Sequence, residues 1–502
     1  MMNKKFLLCL LVLLTVTTAT FANANKEKSG SESKGDLASS QMELPKYVFV
    51  FIGDGMALPQ VGSAEIYEGA MKGGEYPDAP RALSFTKFPV QGIVTTHDSS
   101  SFIPDSASTG TSIATGHKTL AGVISMDEKK EVSYKSIAKI AKDKGMKVGV
   151  VTSVSIDHAT PAVFYANVPS RGMYYEIGMQ LAESGFDYFG GGSLADPEGK
   201  KSKLENKPGN IFDYAKKNGY KVVNTYADVM GLKPVEGQKV WAVTEAPADG
   251  QALLYEIDRK ENQLSLADFT QKGIELLDND NGFFMAIEGG KIDWACHAND
   301  AMAAIQDVFA FNDAVQKAID FANKHPEDTL IVVTGDHETG GMTIGFSGTK
   351  YDSFFEKLQY QKMSYVKFDE VLKSELSKNP ELTFDEIFNL TEANFGLTKN
   401  ESSNGLQLSA YELEQLEEAF MQSKTPKDSR NKNEEYYISY GSYEPYTVKV
   451  THILNQKAGI GWTTYSHTGT PVPVYAYGVG SSNFNGYYDN TEINKKLVEL
   501  IN

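Results

Sequence analysis

GFFMAIEGGKIDWACH, residues Gly282 to His297, carries two different periods within sixteen positions. Its first six residues are almost continuously apolar, as suits a strand buried on both faces of a parallel sheet. Glu288 and a glycine pair follow, and the next residues set Asp293 and His297 four apart, on one face of a helix. The layout recurs: Tyr47 to Ile52 runs into Gly53-Asp54-Gly55, and Thr329 to Thr334 into Gly335-Asp336-His337-Glu338. Lys147 to Thr152 and Val472 to Val479 are further apolar runs. Between them Ala301 to Asn323 reads as a helix, with Ile305, Val308, Phe309, Asn312, Val315 and Ile319 mostly on one face. Strands alternating with helices predict an α/β fold, a three-layer sandwich whose central, mostly parallel sheet has helices on both faces. Asp54, Glu288 and Asp336 then stand at the carboxyl ends of three strands, the edge where open α/β sheets bind ligands.

The N-terminus is a targeting segment. Lys4 and Lys5 precede the apolar run Phe6 to Leu14, and Ala22-Asn23-Ala24 is a small-x-small cleavage site, so residues 1–24 read as a signal peptide. Residues 25–44 are a polar tether, and 45–502 form one α/β domain. The expectation is a periplasmic or secreted protein, with no membrane association once the signal is cleaved. Cys9 leaves with the signal, so Cys296 stands alone and no intrachain disulfide is expected. From about residue 347 to 456 the alternation stops. There Thr383 with Glu386 and Ser409 with Glu412 look like capping boxes, and Ser423 to Tyr446 is charged and tyrosine-rich. We read that stretch as an insertion, part helix and part loop, offering contact surface to a second subunit, with a homodimer as a candidate assembly. The chain carries 48 basic and 65 acidic residues, net −17, a balance that argues against nucleic acid as a partner. An anionic ligand must find its positive charge locally, for which metal ions are the candidate source.

PDSASTGTSIATGHKT, Pro104 to Thr119, predicts a helix beginning at Ser106 with Asp105 before it. Taken alone, the pair is an ordinary N-cap. Asp293 with His297 could hold one ion, Asp336-His337 a second from a tight turn, and His467 in Ser-His-Thr-Gly-Thr-Pro could complete the first. Each piece alone also fits a solvated helix face or a turn. Their joint occurrence after strands does not.

Asp54-Gly55, Asp105-Ser106-Ala107, His158-Ala159-Thr160-Pro161 with Arg171, Glu288-Gly289-Gly290-Lys291-Ile292-Asp293 with His297, Gly335-Asp336-His337-Glu338 and His467-Thr468-Gly469 together resemble the alkaline phosphatase family. The match runs in family order from about Tyr47 to Ile501, apart from the insertion. The resemblance implies two zinc ions and one magnesium. Asp293, His297 and His467 would hold the first zinc; Asp54, Asp336 and His337 would hold the second, with Ser106 as its substrate-side ligand. Asp54, Thr160 and Glu288, with waters, would hold magnesium. His158, placed with the magnesium ligands, replaces an aspartate of the best-studied bacterial form. The implied reaction is hydrolysis of small phosphate monoesters to phosphate and an alcohol through a phosphoserine. A serine hydroxyl is a poor nucleophile until an ion and a helix N-terminus stabilise its alkoxide, which gives Ser106 its place. Arg171 would grip two phosphoryl oxygens. Trp294, where some relatives carry Lys or His, would either face the phosphate as a substrate contact or pack as a core aromatic.

Two alternatives stand beside this reading. Phosphodiesterases and sulfatases of the same superfamily generally lack the third metal site or use another nucleophile, so Thr160 with Glu288 and Arg171 favours a monoesterase. A non-catalytic secreted phosphate- or metal-binding protein is the other, and the intact Ser106 argues against it. Cys296 is expected to be a buried core residue, and His97, His117, His325 and His452 match no motif. Gly190-Gly191-Gly192 is read as a tight turn.

Overall fold

The computed structural model describes residues 44–73 and 83–501. The segment expected to be a signal peptide, and the expected tether up to residue 43, lie outside the described residues. In chain order the strands are β1 (Tyr47–Gly53), β2 (Val90–Thr95), β3 (Lys147–Thr152), β4 (Tyr188–Gly191), β5 (Tyr220–Val223), β6 (Lys239–Val243) and β7 (Phe283–Gly289). They continue with β8 (Thr329–Gly335), β9 (Glu338–Thr339), β10 (Thr343–Ile344), β11 (Ile460–Gly461), β12 (His467–Thr468), β13 (Val472–Gly478) and β14 (Gly486–Asp489). One ten-stranded sheet has the order β14-β2-β13-β8-β1-β7-β3-β4-β6-β5. Its pairs are parallel except where β13 meets β2 and β8.

The apolar runs decide the layering. Alternate side chains of β1 enter different cores: Tyr47, Phe49 and Phe51 on one face, Val48, Val50 and Ile52 on the other. In β7, Phe283, Met285 and Ile287 share the first core, Phe284 and Ala286 the second. Burying one large apolar side chain contributes about 1.5–3 kcal/mol, so a strand with no polar face is stable only between two layers. Helices Leu58–Met71, Leu266–Leu277 and Ala301–Ala322 supply one layer. Ser106–Thr115, Ile137–Asp143, Tyr174–Glu183, Ile211–Lys217 and Thr491–Ile501 supply the other. Register completes the frame: Gly53 is level with Gly289 and Gly335, so β1, β7 and β8 end together.

Three local expectations are corrected. The run at 472–478 is a strand, but an antiparallel one. Helix Ala301–Ala322 buries Ala304, Ile305, Val308, Phe311, Val315 and Ala318, whereas Phe309 and Ile319 only border the core. Gly190 and Gly191 lie within β4, not in a turn. A Cβ on Gly191 would come 2.0 Å from the Thr152 carbonyl oxygen of β3, so close strand approach explains that glycine.

Between β10 and β11 the chain is helical: Tyr365–Lys378, Phe384–Phe395, Ala410–Lys424, Glu434–Tyr440 and Pro445–Ala458. Both expected capping boxes form, Thr383 with Glu386 and Ser409 with Glu412. Phe368, Phe395, Phe420 and Tyr446 of these helices belong to the same core as Phe49 and Phe51. Asp300, the N-cap of Ala301–Ala322, accepts from Tyr365 N at 2.8 Å and Gln361 Nε2 at 2.7 Å, tying this segment to the sandwich.

Candidate active site

At the common edge of β1, β7 and β8 the chain gathers its acidic residues. Asp54 follows β1, Glu288 closes β7, and Asp336 with His337 follow β8. Helix Lys291–His297 brings Asp293 and His297, and β12, paired with β9, carries His467 across. Gly55 makes this convergence possible: its φ is +70°, and a Cβ there would sit 2.9 Å from Asp293 Cα.

Ser106 opens the helix Ser106–Thr115, capped by Asp105, whose carboxylate accepts from Ser108 N at 3.0 Å. All ten residues of this hydroxyl-rich helix are buried. Two of its hydroxyls are satisfied within it, Ser112 Oγ donating to Ser108 O and Thr115 Oγ1 to Thr111 O. Ser106 Oγ lies 3.2 Å from His337 Nε2 and 3.4 Å from Asp54 Oδ1, at the positive end of the helix.

Three groups of potential ligand atoms each fall within 4.8 Å: Asp293, His297 and His467; Asp54, Asp293 and His337; and Asp54, His158 and Glu288. Asp336 joins the second, 3.3 Å from His337 Nε2, and Thr160 Oγ1 lies 3.3 Å from Asp54 Oδ2. The donor chemistry fits cations. His297 Nδ1 is 2.7 Å from Tyr465 O, and His467 Nδ1 is 2.7 Å from Pro104 O. Carbonyls only accept, so both rings carry their proton on Nδ1. Two bare Nε2 lone pairs then face each other at 3.0 Å, 3.4 Å and 3.6 Å from Asp293 Oδ1. Only a positive charge between them makes that arrangement favourable. Glu288 Oε1, buried without a protein partner among the described residues, asks for the same at the third group.

Electrostatics agree. Burial, then Asp336, Asp293 and Glu288, pushes Asp54 well above the usual carboxylate range, and Arg171 opposes part of the rise. Burial likewise raises Glu288 and Asp336. Asp293 moves the other way: burial works against its charge, but His297, His467 and His337 hold it below the usual range.

Arg171 is tied to the residue before the serine, with Nη1 2.9 Å from Asp105 Oδ2 and Nη2 3.1 Å from His158 Nε2. Trp294 is partly buried, its ring edge-on to His158 at 5.7 Å. Cys296 is buried in the core, as expected. Of the unmatched histidines, His325 stacks on Phe321, His117 on Tyr134, and His452 lies 3.0 Å from Asn299 Oδ1. His97 is exposed near Asp489. Glu338, though in the acidic motif, is spent on structure: it accepts from Gln60 Nε2, Gly341 N and Met342 N.

Sequence reasoning missed the residues that orient these groups. Thr339 Oγ1 donates to Asp293 Oδ1 at 2.5 Å, and Thr109 Oγ1 to Asp336 Oδ2 at 3.0 Å. Asp105, expected as a helix cap, also accepts from Arg171 Nη1 and Gly122 N. Thr339's only signal was its place two residues after His337. Nothing local marked Thr109.

A buried serine opening a helix beside three groups of residues that could hold cations fits a metal-dependent hydrolase of anionic esters. A family model described as alkaline phosphatase matches residues 45–502, and the chain belongs to that family of phosphoric monoester hydrolases. Alkaline phosphatase 3 of Bacillus subtilis (strain 168) is 33% identical over 481 residues, spanning 95% of this chain and 92% of the relative. Alkaline phosphatase 4 of that organism is 32% identical over 450 residues, 89% and 86% of the two chains. The crystal structure of a cold-active alkaline phosphatase from the psychrophile Shewanella sp. is similar with a TM-score of 0.72 and 27% identity, covering 91% of this chain and all of that one.

Proposed function

We propose that the protein hydrolyses phosphate monoesters through a phosphoserine at Ser106, with two zinc ions and one magnesium. The observation that carries this reading is the seryl oxygen at a helix N-terminus, 3.2 Å from His337 Nε2, with the Arg171 fork tied to the adjoining Asp105. Asp293, His297 and His467 would hold one zinc, Asp54, Asp336 and His337 the other. Asp54, Thr160 and Glu288 would hold magnesium. Bound there, the ions would neutralise the buried carboxylates and stabilise negative charge on the seryl and departing oxygens.

Ser106 Oγ attacks phosphorus, the Oγ–P bond forming as the ester P–O bond breaks, and the alcohol leaves with a proton. Water then attacks the phosphoserine, the Oγ–P bond breaks, and inorganic phosphate is released. The helix dipole favours negative charge on Oγ, while Arg171 orients the phosphoryl oxygens. Thr339 holds Asp293, and the carbonyls of Tyr465 and Pro104 hold His297 and His467 in the tautomer that presents Nε2. An assay with 4-nitrophenyl phosphate, with and without chelator, tests the reading. Metal-sensitive release of nitrophenol supports it, whereas no turnover in the metal-loaded protein favours a binding protein. Release from bis(4-nitrophenyl) phosphate in preference to the monoester would favour a diesterase.

Two substitutions follow. Arg171→Ala should raise KM and the inhibition constant for phosphate roughly 10- to 100-fold, since a charged hydrogen-bonding fork is lost. An unchanged inhibition constant would remove Arg171 from the phosphate site. Thr339→Val should weaken zinc retention about 10-fold against a competing chelator, the usual loss when a ligand's orienting partner is removed. Equal retention would show that Asp293 is held without it.

The N-terminal signal supports export to the periplasm or medium, and among the described residues no helix is long and apolar enough to cross a membrane. A homodimer would cover the exposed Met421, Tyr437 and Ile438 on the segment we read as an insertion. Light scattering measures that assembly.

A further inference from the structure

We propose that His158 is a positioning residue for Arg171 and not a ligand of the third cation. The inference rests on the reading that Arg171 binds the phosphoryl group. His158 Nε2 lies 3.1 Å from Arg171 Nη2. A guanidinium has only hydrogens to offer, so Nε2 must supply its lone pair. A neutral imidazole has one lone pair, and the proton then sits on Nδ1, which is buried with no protein partner among the described residues. A protonated ring nitrogen cannot ligate a cation. Although His158 lies within reach of Asp54 and Glu288, its ring serves either the guanidinium or the ion. The geometry assigns it to the guanidinium, leaving Asp54, Thr160 and Glu288 as the protein oxygens of the third site and Nδ1–H free to donate to water.

This assignment braces Arg171 on both sides. Asp105 Oδ2 holds Nη1 at 2.9 Å, and Asp105 is itself fixed by Ser108 N and Gly122 N at 3.0 Å. Since Asp105 caps the helix that Ser106 opens, the guanidinium plane is tied to the nucleophile. One N–H on each terminal nitrogen, and Nε–H, remain for the anion.

His158 is held in turn. Its backbone N donates to Ser155 O at 2.9 Å, and Trp294 packs edge-on against its ring. Behind Trp294, a Cβ on Gly250 would meet the indole at 2.6 Å, and Gly250, at φ +57°, leaves that room. The buried Lys291 ammonium stands 4.8 Å from the indole and pairs with Asp249 Oδ1 at 2.7 Å. Trp294 thus backs the brace.

The test compares His158→Ala with His158→Gln, whose amide oxygen can still accept from Arg171. Each is measured for phosphate inhibition, KM and kcat with 4-nitrophenyl phosphate, and for zinc and magnesium content by elemental analysis after dialysis. His158→Ala should raise KM and the phosphate inhibition constant roughly 3- to 10-fold, more than it lowers kcat, with metal content unchanged. His158→Gln should restore the inhibition constant to within about twofold. In an Arg171→Ala background, His158→Ala should have no further effect, because the two act as one unit. Loss of magnesium from His158→Ala with phosphate inhibition unchanged would make the ring a ligand and overturn the proposal. Equal weakening in the Gln and Ala variants, or effects additive with Arg171→Ala, would also overturn it. If Arg171→Ala alone leaves phosphate inhibition unchanged, the reading of Arg171 fails first, and this one with it.

Discussion

Replacing Ser106 by alanine is expected to lower kcat by at least about 10³-fold, while the protein folds normally and retains its metal ions. The serine is 1% exposed and contributes one oxygen to a helix whose cap, Asp105, is untouched by the change. Alanine is a good first-turn residue, so the helix survives. What disappears is the atom proposed to form the covalent bond, and on that reading loss of the nucleophile costs orders of magnitude because the whole route closes. Residual turnover would come from direct attack by water on an ester still oriented by Arg171. Acid quenching after incubation with labelled phosphate separates the cases: the wild type should trap label on Ser106 and the variant should not. Labelling of Ser106→Ala at the wild-type level would place the nucleophile elsewhere.

Removing the divalent ions is expected to have the largest effect on the whole molecule, abolishing turnover and lowering Tm by on the order of 10 °C. Asp54 and Asp336 are fully buried, and Glu288 and Asp293 are 2% and 4% exposed, so four carboxylates share a site from which water is excluded. Without cations, burial and mutual repulsion disfavour ionisation of Asp54, Asp336 and Glu288. The facing lone pairs of His297 and His467 add to the cost. Ions that bind the folded chain and not the unfolded one stabilise it by mass action, so dialysis against chelator should move the transition even where no catalysis is measured. Calorimetry before dialysis, after it, and after adding back zinc with magnesium provides the comparison. Full activity or an unmoved transition in a preparation shown metal-free by elemental analysis would sink the cation-centred reading.

Much of the fold was legible because its central strands are the ones the sequence marks most strongly. YVFVFIG, GFFMAI and TLIVVT have no polar face, and only a sheet covered on both sides accepts them. The four strands β4, β5, β6 and β14 are only four or five residues long. β2 alternates buried and exposed positions. In such strands neighbours decide more than composition, so the sequence does not mark them. The direction of β13 was likewise hidden, because an apolar run reads the same whichever way its connections send it.

At the site, spacing put Asp293, His297, Asp336, His337 and His467 forward as candidate cation ligands and Asp54 at a strand end, and the family resemblance joined them to Ser106. Asp54, Asp336 and His337 follow strands and Ser106 opens a helix, so local sequence accounts for their placement, whereas His467 reaches the site through the pairing of β12 with β9. Tertiary structure alone decided what holds those groups and which atom each presents. Thr339 meets Asp293 across 46 residues of chain, Thr109 meets Asp336 across 227, and Pro104 O sets the tautomer of His467 across 363. No period or motif carries such pairings, because they depend on how separate βα units stack. The same holds for His158: its type and position suggested a metal ligand, and the 3.1 Å approach of a guanidinium, which can only donate, is what leads us to assign its lone pair to Arg171.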